Sequence, residues 1–219
     1  MATSFSGSPR LLRGGLVVVD AGSGAIRRVI ALQYNPDSLS RSLQIQGIGD
    51  GGERSEALRL KGPAVETIKL EAEIDAADQL EFPEQNANTV AFGIAPQLAV
   101  LEGLINPPTA DLLFGNLLAA IGTIEIAPSE APLTLFVWSA QRIVPVRITE
   151  FSINEEAFDP TLNTLRAKVS LGLRVLSVND VGFNHRAGTL FMGHLQNKER
   201  LAGKASSAAL AALGLGGIP

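Results

Sequence analysis

The chain contains no cysteine. Disulfide frameworks, cysteine-ligated zinc, iron–sulfur clusters and thiol catalysis are therefore excluded. His185 and His194 are the only two histidines, so no multi-histidine metal site can form within one chain, and their spacing is not the i, i+4 pair of a helical metal site. Aromatic residues make up 5% of the chain, with one Trp and one Tyr. No uninterrupted apolar run reaches the ~18 residues of a membrane span; the nearest, Leu112–Ile124, is broken by Gly115, Asn116 and Gly122. The apolar run Leu16–Val19 that follows Arg10 and Arg13 stops at Asp20, short of the roughly 7–15 residues of a signal-peptide core. Basic residues are outnumbered, with 18 Lys and Arg against 22 Asp and Glu, which argues against a nucleic-acid binder that relies on a basic surface. Neither G-x-S-x-G nor G-x-x-x-x-G-K-[ST] occurs. These absences lead us to expect a soluble cytoplasmic protein with no membrane insertion, no nucleic-acid partner, no cofactor and no catalytic or metal-binding residues.

What is present is enough for a substantial core. The 219 residues are 46% hydrophobic and 18% charged, with 22 Gly and 12 Pro, a turn-rich composition unlike that of disordered chains. Residues 1–13 read as a flexible arm. Leu16–Asp20 and Ala25–Gln33 read as a hairpin joined by Ala21-Gly22-Ser23-Gly24, which is turn chemistry. Leu39–Gln46 alternates, with Leu39, Leu43 and Ile45 on one phase, and 47–63 reads as a long Gly- and charge-rich loop. In Glu66–Asp75, Ile68, Leu70, Ala72 and Ile74 fall on one face and Thr67, Lys69, Glu71, Glu73 and Asp75 on the other, the period-2 pattern of a sheet with one dry face.

The middle of the chain has helical spacing. Pro96 suits a first turn, Leu98, Leu101, Leu104 and Ile105 recur along one face, and Asn106-Pro107-Pro108 stops the element, so a helix is expected over 95–105. Strand patterns return in Leu133–Ser139, in Ile143–Ile153, where Pro145 suggests an edge or bulge, and in Leu165–Val178, where Ala167, Val169, Leu171, Leu173 and Val175 share a face. Asn154–Asn163 reads as a loop. A last helix is expected over Gly188–Ala202, with Leu190, Phe191, His194, Leu195 and Leu201 on its stripe, followed by an Ala/Gly-rich tail over 204–219. Ala205–Leu213 is short for an isolated helix. Strands cluster instead of alternating with helices, which argues for antiparallel sheets in a mainly β protein: a sandwich or barrel with one central and one C-terminal helix.

Two stretches could carry chemistry. Gly47-Ile48-Gly49-Asp50-Gly51-Gly52 matches G-x-G-x-x-G, but a dinucleotide site needs the string to open a helix; Glu53 and Glu56 follow, so a hairpin tip is the simpler reading. Glu155, Glu156 and Asp159 form an acidic cluster, and paired carboxylates can serve acid–base chemistry or hold a hard cation. A solvated turn is the plainer explanation, because no histidine or second acidic motif lies near in sequence. His194 reads as a core-edge or interface residue and Trp138 as core. Nothing assembles a nucleophile, a base and an orienter, so a non-enzymatic role is expected.

Several stretches together resemble a known family. They are Leu32-Gln33-Tyr34-Asn35-Pro36-Asp37-Ser38-Leu39-Ser40-Arg41, the strand ending Ile74-Asp75-Ala76, and Ile94-Ala95-Pro96-Gln97-Leu98-Ala99-Val100-Leu101-Glu102. The series continues with Pro132–Trp138, Val144-Pro145-Val146-Arg147, Ile153-Asn154-Glu155-Glu156-Ala157-Phe158-Asp159-Pro160 and Arg166–Leu171. In order and spacing they are similar to the tube-type domain of contractile injection systems, and more closely to the baseplate protein that joins the central spike to the inner tube in phage-tail-like particles. The resemblance spans roughly residues 14–202. It implies a tube-like β domain over 14–180, a C-terminal helix over 181–203 and assembly as a hexameric ring. The ring's partners would be further copies of itself, the spike hub protein, the inner tube protein and other baseplate components. Sheets of neighbouring subunits would join into one inner barrel, and the ring would initiate tube assembly. The protein would be made in the cytoplasm of the producing bacterium and assembled into an injection particle. Many members carry a C-terminal LysM module, which is not evident here. An inner tube ring protein of the same particle is the alternative, and a small ligand-binding or hydrolytic β-domain using Glu155, Glu156 and Asp159 is the alternative of another class. The exposed charges Lys69, Glu71, Arg166, Lys168 and Arg174 would line a channel or a ring–ring contact, and the apolar stretch 94–126 would be covered at a subunit interface.

Overall fold

Asp20 sets the first turn. Its carboxylate accepts the Ser23 amide at 2.8 Å and the Ser23 hydroxyl at 2.9 Å and pairs with Arg27, folding β1 (Gly15–Val19) onto β2 (Ile26–Ala31) in the expected antiparallel hairpin. The computed structural model of the chain describes residues 12–47, 59–120, 131–206, 208 and 210–213. Five further strands follow: β3 (Leu39–Gln44), β4 (Val65–Asp75), β5 (Leu133–Ser139), β6 (Arg142–Phe158) and β7 (Thr164–Val175). All seven join one antiparallel sheet in the order β2-β1-β5-β6-β7-β4-β3. The protein is mainly β with added α.

β6 is the hinge of this architecture. Its first residues pair with β5, up to Thr134↔Val146, and the remainder pairs with β7, from Val146↔Val175 to Phe158↔Thr164. Only Val146 is paired on both sides. A register shift between Ile148 and Glu150 follows directly, and bulges bend and twist a strand. Pro145 sits at the handover. Its carbonyl accepts the Leu176 amide at 2.9 Å, so its nitrogen faces β7 at a point where that ladder has not begun. A proline there removes no rung.

The sheet therefore has two halves, β2-β1-β5 with the start of β6, and the rest of β6 with β7-β4-β3. Their inner faces meet in one core. Leu16, Phe136 and Val144 from the first half pack with Ile68, Leu70, Val169, Leu171 and Leu173 from the second, all nearly inaccessible to solvent. Each such side chain contributes roughly 1.5–3 kcal/mol by leaving water. Ile68, Leu70 and Ala72, and Ala167 through Val175 on alternate residues, bury the faces their spacing predicts. β3 is different: Leu43 and Ile45 share a phase with Leu39 but are more than half exposed, because β3 is an edge strand reaching past the core.

The central segment holds α3 (Ala95–Glu102), with Pro96 in its first turn and Leu98 and Leu101 in the core. Three more helices flank it: α1 (Ala77–Leu80), α2 (Ala87–Phe92) and α4 (Thr109–Ala120). Gly93 at φ +56° turns the chain from α2 into α3, where a Cβ would collide with the Thr164 carbonyl. α5 (Val178–Val181) opens on a capping box in which Ser177 and Asp180 satisfy each other's orphan backbone donors. α6 (Arg186–Ala202) is capped by His185, whose Nδ1 accepts the Ala187 amide at 3.1 Å. It lays Ala187, Phe191 and His194 against the sheet. Leu201, expected on that stripe, is 40% exposed because the helix has run past the sheet by then. In the tail, Leu210–Leu213 form one 3₁₀ turn. Most of the expected arm, the G-x-G-x-x-G string beyond Gly47 and residues 214–219 lie outside the described residues.

Candidate functional site: a buried ion cluster and the open edges of the sheet

The least expected group in the core is a carboxylate. Glu66 has the same parity as Ile68, Leu70 and Ala72, so β4 turns it onto the dry face, where the residue is 4% exposed. Arg41 Nε on β3 donates to Glu66 Oε1 at 2.6 Å, and Lys198 Nζ on α6 donates to Oε2 at 3.0 Å. Burial pushes the Glu66 carboxyl up, but these two charged hydrogen bonds outweigh it and hold the carboxyl below its ordinary range. His194, one turn before Lys198, is buried with no partner for its Nε2. Burial first, then the Lys198 charge, pushes the imidazole below its ordinary value. The cluster fastens β3, β4 and α6 together. It contains a single carboxylate, and no group of three or more metal-ligating side chains occurs among the described residues.

The three carboxylates picked out from sequence are not brought together for chemistry. Asn154–Phe158 is not loop: β6 continues to Phe158, and only residues 159–163 form the turn. The register with β7 extends the strand because Thr164, Arg166 and Lys168 supply partners opposite it. Glu155 accepts a hydrogen bond from the Thr164 hydroxyl. Glu156 faces Lys168 at 3.5 Å. Asp159 folds the turn, accepting the Thr161 and Asn163 amides at 2.7 and 2.9 Å and both side chains besides. The Asn163 side chain and the turn's other donors hold the Asp159 carboxyl at about 2. Each carboxylate thus has its own structural partner. Trp138 stacks on Phe136 with centroids 5.9 Å apart at the core margin.

The outward face of β6-β7-β4-β3 carries a shallow groove of about 600 Å³ with a mixed lining. It is lined by Ser40, Ser152, Ser170 and Gly172 together with Leu70, Phe151 and Leu171, and Lys69 pairs with Glu150 at 2.7 Å. Arg166 bridges to Asp75 at 2.6 Å and Arg174 to Asp180 at 2.7 Å. Both edges of this half are open among the described residues. β3 has a neighbour only in β4, and β6 beyond Val146 has a neighbour only in β7.

The helices on the flank are exposed and apolar. Leu112, Leu113, Phe114 and Leu117 of α4 are 58–71% accessible. No helix among the described residues is long and apolar enough to cross a membrane. These side chains lie in the apolar stretch 94–126 expected to be covered at a subunit interface, since a strongly apolar helix is ordinarily buried.

No family model matches the chain, and no curated protein matches it. Among solved structures, it is similar to a chain in the tail of an empty GTA particle refined with helical C6 symmetry, at 14% identity and a TM-score of 0.28, over 74% of this chain and 90% of that one. It is also similar to a chain in the virion of a native gene transfer agent particle, at 12% identity and a TM-score of 0.27, over the same shares.

Proposed function

We propose that this chain is a structural ring protein of a contractile injection system baseplate, joining the central spike hub to the inner tube and initiating tube assembly as a hexamer. The observation that carries this reading is the pair of open edges on β6-β7-β4-β3. Exposed edges are templates for another strand, and isolated proteins usually blunt them. Four antiparallel strands place β6 and β3 in opposite directions, so the β3 edge of one copy meets the β6 edge of the next as a further antiparallel pair. That contact uses two different surfaces of the chain. It is heterologous, and heterologous contacts close into rings when the rotation per copy allows. The resemblance in sequence order supplies the six-fold count and the place between hub and tube.

The continuous sheet would present its polar face to the lumen. The serines and the Lys69–Glu150 pair give a low-profile wall with no net charge at that pair. Electron microscopy of the purified chain, alone and with the spike hub protein, tests the reading. Closed six-fold rings capping the hub support it. Long stacked tubes without the hub would make the chain the tube protein instead, and a monomer in both samples would reject the ring.

A further inference from the structure

We infer that the seam between copies has one register, with Leu39–Gln44 of β3 paired to Glu150–Glu155 of the next copy's β6, and that this register seats Ile45 in the groove where that β6 parts from its β5; this rests on the ring reading above.

The ladder is the first constraint. β6 carries register shifts between Ile148 and Glu150 and again between Glu155 and Ala157. A bulge disrupts the local ladder, so the stretch of β6 fit to take a new strand runs from Glu150 to Glu155. That stretch is six residues long, and so is β3. Antiparallel pairing end to end sets Gln44 opposite Glu150, Ser42 opposite Ser152 and Leu39 opposite Glu155. The faces then agree. Arg41 and Leu43 stand opposite Ile68 and Glu66, which are buried on the core side of their own sheet. Ile153 and Phe151 stand opposite Val169 and Leu171 on the same side. These two sets meet across the seam, whereas a slip of one residue would invert them.

Curvature is the second constraint. Within one copy the rung through Ser42 passes Thr67 and Arg174 to Arg147. Meeting Ser152 instead, whose partner on β7 is Ser170, moves the next copy by four rungs across four strands. At ~3.4 Å per rung and ~4.8 Å per strand, the strands incline by about 35° to the ring axis, within the ~35–45° of closed barrels. Unshifted pairing would leave them upright.

The groove follows from this register. Ile45 continues the phase of Leu43 and is 73% exposed in the single chain. One rung beyond Gln44 and Glu150, with Thr149 taken up by the bulge, Ile45 comes beside Ile148. Ile148 lines a groove of about 360 Å³ with Leu104, Ile105, Leu133 and Val146, whose walls also include Arg147. Val146 is the last residue of β6 paired with β5, so the groove lies where the two strands part. Ile148 and Val146 stand opposite the buried Leu173 and Val175, so Ile45 arrives on the groove's side of the sheet. A seam of six residues is about 20 Å long and one strand deep, well short of the ~800 Å² that each partner contributes to a stable interface. The groove adds an aliphatic contact at its end.

Disulfide trapping reads the register. Directly opposed Cα atoms lie ~4.5–5.5 Å apart and diagonal ones ~7–8 Å apart, and a disulfide does not bridge more than ~7 Å. One double variant carries Ser42→Cys with Ser152→Cys, and a second carries Ser42→Cys with Asn154→Cys. Ile45→Glu and Ile105→Glu, both at exposed positions, test the groove. Circular dichroism and melting verify that each variant folds, and native mass spectrometry reads assembly with and without the spike hub protein. We expect disulfide-linked ladders through Ser152 and none through Asn154. Each glutamate variant should self-associate at least ~10-fold more weakly, the loss of one buried aliphatic side chain. Ladders through Asn154, alone or alongside Ser152, would overturn the register and leave the ring reading standing. Rings in which neither pair cross-links would do the same. Glutamate variants that assemble like wild type would overturn the groove contact. A wild type that stays monomeric in both samples would reject the ring reading and this register with it.

Discussion

The side-chain amide of Gln33 and the main chain of Asp75 are hydrogen-bonded twice: Nε2 donates to the Asp75 carbonyl at 2.7 Å, and Oε1 accepts the Asp75 amide at 3.0 Å. Gln33 follows β2 and Asp75 ends β4, five strand gaps away in the sheet order. A flat sheet would hold them about 24 Å apart at ~4.8 Å per strand, so the bond pair records how far the sheet has curled. The neighbouring Ala76 amide points to β7, donating to Leu165, so the Asp75 groups face the other edge, beyond the end of β3. Gln33 stands in there for a missing strand. Gln33→Leu is expected to destabilise the fold by about 1–3 kcal/mol, because it removes two hydrogen bonds to the half-buried Asp75 main chain. It should also speed hydrogen exchange at the Asp75 amide. Unchanged exchange would show that the curl does not depend on this closure.

Glu66 predicts a contrast between two ion pairs. Removing one partner of a buried pair typically costs ~3–5 kcal/mol, whereas exposed pairs are worth ~0–1. Glu66→Gln, which leaves Arg41 and Lys198 facing a neutral group, should fall in the first range. Glu150→Gln, which breaks the exposed contact with Lys69, should fall in the second. Denaturant unfolding of both variants measures the difference.

The same cluster predicts two acid transitions. His194 is held below its ordinary value, facing Lys198, Arg41 and Arg142 against the single carboxylate of Glu66. The unfolded chain therefore binds this proton first. Stability is complete above the unfolded histidine value near ~6.5 and falls as pH drops from there toward the folded value. Glu66 is lowered as well, so its contribution is present above the unfolded carboxyl value near ~4.3 and is lost as pH falls through the folded value. His194→Phe should abolish the upper slope and keep the lower one. Stability measured from pH 8 to 3 tests this; an upper slope surviving in the variant would assign it elsewhere.

Gly188 predicts a backbone clash. A Cβ at this position in α6 would overlap the Gly182 carbonyl oxygen, and no flexible side chain is there to yield. Gly188→Ala should destabilise the α5–α6 junction by roughly 1–3 kcal/mol, as overpacking does, although alanine is the better helix former. A variant as stable as wild type on thermal melting would show that the two backbones can separate freely.

Much of the architecture was legible because alternation is physical: Ile68 to Ala72 and Ala167 to Val175 face the core as their parity requires. Glu66 has the same parity but was assigned to neither face, and only its partners on β3 and α6, distant in sequence, make its burial tolerable. Asn154–Phe158 looked like loop because it is polar and lies before Asp159-Pro160. It is strand because Thr164, Arg166 and Lys168 lie opposite. The surplus of apolar surface in 94–126, which holds α4, was legible, but not what covers it, since apolar spacing reports a surface that avoids water and not which molecule covers it.

The central claim is that β3 of one copy pairs with β6 of the next. The natural absence of cysteine allows a direct test. Single cysteines are placed on β3 at Ser42 and on β6 at positions from Ser152 to Glu156, one pair per chain, and oxidised in the presence of the spike hub protein. The account predicts that at least one register gives a disulfide-linked ladder ending at six chains. Oxidation that yields only monomers, or ladders that stop at two, would contradict it.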